Sequence, residues 1–389
     1  MRRPTLFQRN TNALALSLLL VASPHAVFAE DAPEPAPATP YSSTHTVVLE
    51  DGTSLAIVIA NSPSTPPQQN LAAKSLTVSA VAKAADTMIT DVPIIKWSWG
   101  TSNTSGAMIA GYYDRKNYTD MYTGPTNGGV MPLTQPESWG INECPLSATK
   151  KGLDGRTSRG HVDDYYNVLP PGPGIDPNFD PYFVQGWPEH TPGECTGDYM
   201  KTNKWFPGSK TLLKLNEDIN KDGAAVFIFD LIQGTPIYAS FLKDNGYDKY
   251  DAGYGLKLFF ESRCYTVANM YNQPIDTVKP DVPGYGFNYD DYKAEIEAGR
   301  PVMLHLSGHI VVGVGYNATT THEIIIHDPW NGKARMTWGG KYLGRDELQH
   351  TAVTVVTLAG ATNRIAGCSV ASGKKFPWTM FLPAITGSK

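Results

Sequence analysis

Four cysteines in 389 residues are too few for a disulfide-dense scaffold, and charge is sparse too, with 18% of residues Asp, Glu, Lys or Arg. The low charge comes with 41% hydrophobic and 11% aromatic residues, a composition that excludes a disordered chain. Beyond the N-terminal segment there is no basic cluster, and the net charge of −5 is acidic, which argues against nucleic acid as a partner. No later stretch approaches the 18 apolar residues that a membrane span needs, so no span is expected. No internal repeat is visible. What is abundant is Gly (36), Pro (30), Tyr (20) and Trp (8), which predicts long loops around an aromatic core. The length suits one large domain or two smaller ones.

The N-terminus reads as a secretory presequence over 1–29. Arg2, Arg3 and Arg9 precede an apolar run from Ala13 to Ala22, and Val27-Phe28-Ala29 offers a small-residue cleavage site. Without those three arginines the chain keeps 29 basic against 37 acidic residues, a net −8. The expected location is therefore secreted or periplasmic. Residues 30–40 (EDAPEPAPATP) read as an extended Pro/Ala linker. Residues 41–92 read as an N-terminal extension, with a hairpin turning at Asp51-Gly52 and an Ala-rich helix from Asn70 to Met88.

The expected main domain is 93–360, followed by a tail over 361–389. A helix should start near Thr104, and a long irregular region should run from Tyr118 to Pro207. Ala224–Ile232 reads as an apolar strand or helix, and Gly255–Ser262 and Tyr289–Ala298 as amphipathic helices. Pro301–Tyr316, Glu323–His327 and Ala352–Leu358 read as core strands. A helical part followed by an antiparallel, strand-rich part predicts an α+β class.

Three places carry chemistry. In Gly100-Thr101-Ser102-Asn103-Thr104-Ser105-Gly106 a hydroxyl stands at a helix N-terminus, where an anion is stabilised, although Ser and Thr are also ordinary N-caps. His309 and Asp328 lie on two strands joined by the 317–321 turn. Roughly equal antiparallel arms bring them together as a base and its orienting carboxylate. Asp218, Asn220 and Asp222 match the start of a calcium loop, D-x-N-x-D-G. Its twelfth position is Phe229 rather than Glu, and Asp230 comes one residue late, so a solvated acidic turn is the expectation and a looser calcium site the alternative.

The segments Trp97–Gly100 and Thr104–Arg115 resemble those of secreted papain-like cysteine peptidases similar to the bacteriocin leader peptidases, a peptidase family 39-like group. So do Glu143–Thr149, Arg159–Tyr165, Gly308-His309 with Gly313–Tyr316, His327-Asp328 and Thr337–Gly340. The resemblance spans roughly 93–358. It implies a papain-like fold with a nucleophile at the start of the helix after Gly100, His309 as base and Asp328 as orienting acid. Where that family carries Gly-Cys-Ser-Pro-Thr-Ser, this chain has Gly-Thr-Ser-Asn-Thr-Ser, which puts Thr101 in the nucleophile's place. Where papain-like enzymes carry an oxyanion-binding Gln stand Ile95 and Lys96.

A Thr hydroxyl forms no resting anion, and losing a catalytic nucleophile costs on the order of 10⁶ in kcat. The expectation is thus a peptidase-like protein without efficient peptidase activity, holding a peptide or protein ligand and requiring no cofactor. A hydrolase or acyl-transfer enzyme using Thr101 or Ser102 with His309 and Asp328, and a purely structural extracellular protein, are the alternatives. None of Cys144, Cys195, Cys264 or Cys368 stands at the nucleophile position. Four cysteines allow three connectivities; the expected one pairs Cys144 with Cys195 across the long loops and Cys264 with Cys368 at the tail.

Overall fold

Asp51 accepts a hydrogen bond from the Thr53 amide, and Gly52 takes the left-handed φ of 87° that its turn demands. In the computed structural model, which describes residues 41–66, 85–140, 142–150, 154, 195–202 and 223–369, this turn joins β1 (Ser42–Val48) to β2 (Ser54–Ala60) as an antiparallel hairpin. The second arm, SLAIVIA, is apolar almost throughout because it is central: its far edge pairs with β4 (Ala225–Phe229), every residue of which is buried. The apolar run at Ala224 is therefore a strand. The expected presequence and linker lie outside the described residues.

The helix expected over Asn70–Met88 lies largely outside the described residues too, but its end is a correction. Asp86–Met88 forms a short strand, β3, whose residues pair with Asn317–Gly315. The Asp86 carboxylate is drawn there by Asn317 Nδ2 at 2.8 Å and Arg335 Nη1 at 3.0 Å, a pull that outweighs the helical pattern.

Helix α1 (Thr101–Arg115) is buried at every residue but the last, so it runs through the core. Its N-cap is Gly100, with φ 130° and ψ 144°, a backbone that only glycine adopts readily; a Cβ there would stand 2.4 Å from Asn103 Oδ1. The short α2 (Thr196–Met200) and β5 (Ile237–Tyr238) follow, then α3 (Ala239–Asp244) and α4 (Ala252–Ser262). Asp251 caps α4 through the Tyr254 amide at 2.8 Å, which starts the helix three residues before the apolar spacing does. Later come β6 (Val267–Pro274), α5 (Tyr289–Glu297), β7 (Val302–Leu306), β8 (His309–Asn317), β9 (Glu323–Asp328), β10 (Gly332–Thr337) and β11 (His350–Leu358).

The larger sheet has the order β10-β9-β8-β7-β11-β6-β5, antiparallel throughout, with β3 added beside β8. Helices with antiparallel sheets make the chain α+β, as expected. Helical and strand parts do not separate cleanly, since the hairpin precedes α1 and shares its sheet with β4. Pro35–Lys389 forms one compact unit, so the hairpin belongs to the body that holds α1 and β8.

Cys264 and Cys368 are disulfide-bonded, and Ile365 donates to the Cys264 carbonyl beside the bridge, so residues up to 369 are pinned to the end of α4. The expected Cys144–Cys195 bridge is not formed. Both are buried free thiols: Cys144 turns into its own backbone turn, towards the amides of Ser147 and Leu146, and Cys195 towards those of Thr149, from the Cys144 segment, and Asp198. Burial pushes the Cys144 thiol up to about 12 and Cys195 well above the ordinary thiol value, so neither is a resting nucleophile.

Candidate functional site

The site forms where α1, the start of β8 and the end of β9 converge. Thr101 is the first residue of α1 and is buried. Its Oγ1 accepts from the Ile310 amide at 3.2 Å, while Ser105 one turn later donates to the Ile310 carbonyl at 3.0 Å. The helix start is thus hydrogen-bonded to the strand residue next to His309. Asn103 Nδ2 holds the Ser98 carbonyl at 2.9 Å and Ser147 Oγ at 3.0 Å, so Asn103 pins the Trp-rich segment to the helix. Ser102 Oγ is buried and makes no hydrogen bond to His309. Ile95 is buried, and the amide of Lys96, which is exposed, donates to Gln135 Oε1 at 3.2 Å.

His309 is fully buried at the head of β8. The two-residue turn before it, Ser307 at φ 46° and Gly308 at φ 99°, has the double positive φ that matches hairpin twist. Gly308 also lets the backbone of Tyr41 approach; a Cβ there would overlap the Tyr41 carbonyl. Along β8 and β9, Tyr316 faces Ile324 but Val312 faces His327, because a bulge intervenes between Gly313 and Gly315. Without the bulge, Asp328 would face Val312, on the side away from His309. With it, Asp328 falls in step with Val311 and hence with His309. The result is a 2.7 Å contact between His309 Nε2 and Asp328 Oδ1.

Asp328 is fully buried and accepts four further hydrogen bonds, from the amides of Trp330 and Asn331, Asn331 Nδ2 and the Tyr342 hydroxyl, at 2.7 to 3.1 Å. Burial alone would push its carboxyl up; the His309 ring and these donors outweigh burial and hold it below the usual carboxylate range. An ionised Asp328 can only accept, so His309 Nε2 donates to it, and Nδ1 faces the other way.

The group at Nδ1 is not Thr101. Ser62, from the segment leaving β2, puts its Oγ 3.2 Å from His309 Nδ1 and 3.0 Å from Thr101 Oγ1. Ile310 donates to Thr101 Oγ1, and Thr101, Ser62 and His309 form one hydrogen-bonded row. Trp330 then stacks on the imidazole at 3.5 Å between centroids and 9° between planes, and its indole N–H donates to the Pro63 carbonyl at 2.8 Å. Ser62, Thr101, His309 and Asp328 are each no more than 3% exposed, so the cleft is closed.

Ser62 and Trp330 were not expected at this site. Trp330 stood beside the named Asp in the Asp328-Pro329-Trp330 turn, a local signal. Ser62 had none, being one serine in a loop after a hairpin. The candidate calcium residues Asp218, Asn220 and Asp222 lie outside the described residues. The end of that loop is described and offers no ligand: Phe229 is buried in β4, and Asp230 is committed to its own turn through the amides of Ile232 and Gln233 and the Thr235 hydroxyl. Among the described residues no cluster of His, Cys, Asp or Glu could hold a metal, and no helix is long and apolar enough to cross a membrane.

Residues 209–343 match the Peptidase_C39 like family. The matched third of the chain holds His309 and Asp328 and supports a peptidase-like function; Thr101 and Ser62 precede it. No curated protein and no solved structure gave a match.

Proposed function

We propose that this chain is a secreted or periplasmic homologue of papain-like peptidases, similar to the bacteriocin leader peptidases, in which Thr101 has replaced the cysteine nucleophile and the protein holds a peptide or protein ligand instead of cutting it. The observation that carries the proposal is the intrusion of Ser62 between Thr101 and His309. A base must reach its nucleophile within hydrogen-bond distance, and here the ring nitrogen that faces Thr101, Nδ1, is already engaged by another hydroxyl. No cofactor is required in this reading.

The test compares wild type with Thr101→Cys on a peptide library. Wild type is expected to bind peptides without cleaving them. Thiol-blockable cleavage by Thr101→Cys would mean that His309, Asp328 and the cleft are intact apart from the nucleophile. Turnover by wild type that Thr101→Ala abolishes would end the proposal.

A hydroxyl-based hydrolase is the second reading, favoured by the unbroken row of hydrogen bonds linking Thr101, Ser62, His309 and Asp328. In it the hydroxyl on the base is that of Ser62. Labelling by a fluorophosphonate that Ser62→Ala removes would support this reading over ligand holding.

A further inference from the structure

The β2–β4 pairing ends at Ala60 opposite Ala225, and the chain then crosses the site as a short strap, Asn61–Pro66. The Asn61 amide is held by the Tyr41 carbonyl at 2.8 Å. Ser62 turns inward and is buried, whereas Pro63 to Pro66 are exposed. The strap thus touches the site in the way a bound peptide would. It puts one small hydroxyl side chain between Thr101 and His309, and its next carbonyl takes the Trp330 indole N–H. Nothing else among the described residues hydrogen-bonds to His309 Nδ1.

We infer that Asn61–Pro63 is an internal occupant of the cleft, standing in the place of the ligand, and that a peptide ligand enters by displacing it with an extended segment carrying a small hydroxyl residue. The inference rests on the ligand-holding reading above and adds its regulation and ligand class. The three hydrogen bonds made by Ser62 and Pro63 are each of ordinary strength, so the strapped form dominates while the open form stays within reach of thermal opening. The hinge lies just after the Asn61 amide, the last backbone group of this arm that the hairpin holds, beyond the end of the β2–β4 ladder at Ala60.

The test uses the full chain with Thr101→Cys as a reporter and follows iodoacetamide labelling of the folded protein. Cys144 and Cys195 are buried and act as internal references. Adding Ser62→Gly and Pro63→Gly is expected to speed labelling of the introduced thiol at least tenfold. Trp330→Phe, which keeps the ring and loses the indole donor, should speed it severalfold and serves if the double change disturbs folding. Equal rates in all three proteins overturn the inference. A synthetic peptide of the strap sequence, Ile59 to Thr65, should slow labelling of the loosened protein while a scrambled peptide does not. Faster labelling without peptide protection would leave the strap in place as an occupant and count against ligand holding. Peptide binding by wild type with unchanged labelling would do the reverse.

Discussion

Acid should unfold this protein in a narrow window, because three histidines are buried uncharged on the strands around the site. His305 on β7 lies edge-on to Phe227 and Phe229, with Nε2 2.8 Å from Thr354 Oγ1. Burial, and then the neighbouring His350, push it down to about 3. His350 on β11 sits against Trp338 and is pushed to about 3, and His327 on β9, within reach of the Pro93 carbonyl, to about 4, both chiefly by burial. In the unfolded chain all three titrate near 6.5. Their folded values are depressed, so the unfolded state binds more protons, and stability is lost as pH falls from about 6.5 towards 3 to 4.

At pH 5 each histidine contributes a loss of about 2 kcal/mol relative to pH 8 by linkage, about 6 kcal/mol for three. Asp251 works against them. Burial raises it to about 7, so the folded state takes up its proton first and recovers about 2 to 3 kcal/mol over the same range. Asp114, also raised by burial, acts in that direction too. The net loss of about 3 kcal/mol is a large share of an ordinary folding free energy. Urea midpoints at pH 8, 6.5, 5.5 and 5 measure it, and His327→Gln should flatten the slope by about one proton. Midpoints that stay level between pH 8 and 5 would refute the buried, uncharged placement of these rings.

The remaining predictions concern the frame of the site. Intact mass after alkylation without reductant should show two free thiols, modified only once the protein is denatured, and one disulfide; reducing that bridge, which spans 104 residues, should cost about 4.7 kcal/mol in the chain-entropy account. Gly100→Ala should lower stability by about 2 kcal/mol or more in chemical denaturation, since φ 130° and the Asn103 contact both oppose a Cβ. Calcium or a chelator should leave the melting temperature unchanged if Asp218–Asp222 is the expected solvated acidic turn, since the Phe229 side chain supplies no ligand and Asp230 is held by its own turn; a calcium-dependent rise would favour the looser site instead.

The parts of this site that were legible from sequence are those fixed by local pattern. The β-branched run through Val302–Tyr316 and the strand Glu323–His327 depend on neighbouring residues, so periodicity finds them, whereas α1 starts at Thr101, three residues before its expected start, with Gly100 and no Ser or Thr side chain as its cap. The His309–Asp328 pair was legible because one hairpin carries both. Equal arms predict proximity but not phase, and the phase comes from the bulge flanked by Gly313 and Gly315, which settles which face Asp328 shares. Ser62 was illegible for a different reason. Its place depends on β2 pairing with β4, and it meets partners 39 and 247 residues away, so no window of sequence contains the contact. Cys144 and Cys195 fall between these cases. Their segments do meet, through the Thr196 and Gly197 amides on the carbonyls of Leu146 and Ser147, but each sulfur faces backbone amides and not the other sulfur, Cys144 those of Leu146 and Ser147 and Cys195 those of Thr149 and Asp198. Sequence reasoning brought the right segments together at both places. It failed where function turns on which atom faces which, and at His309 that atom is a serine hydroxyl delivered by the N-terminal hairpin.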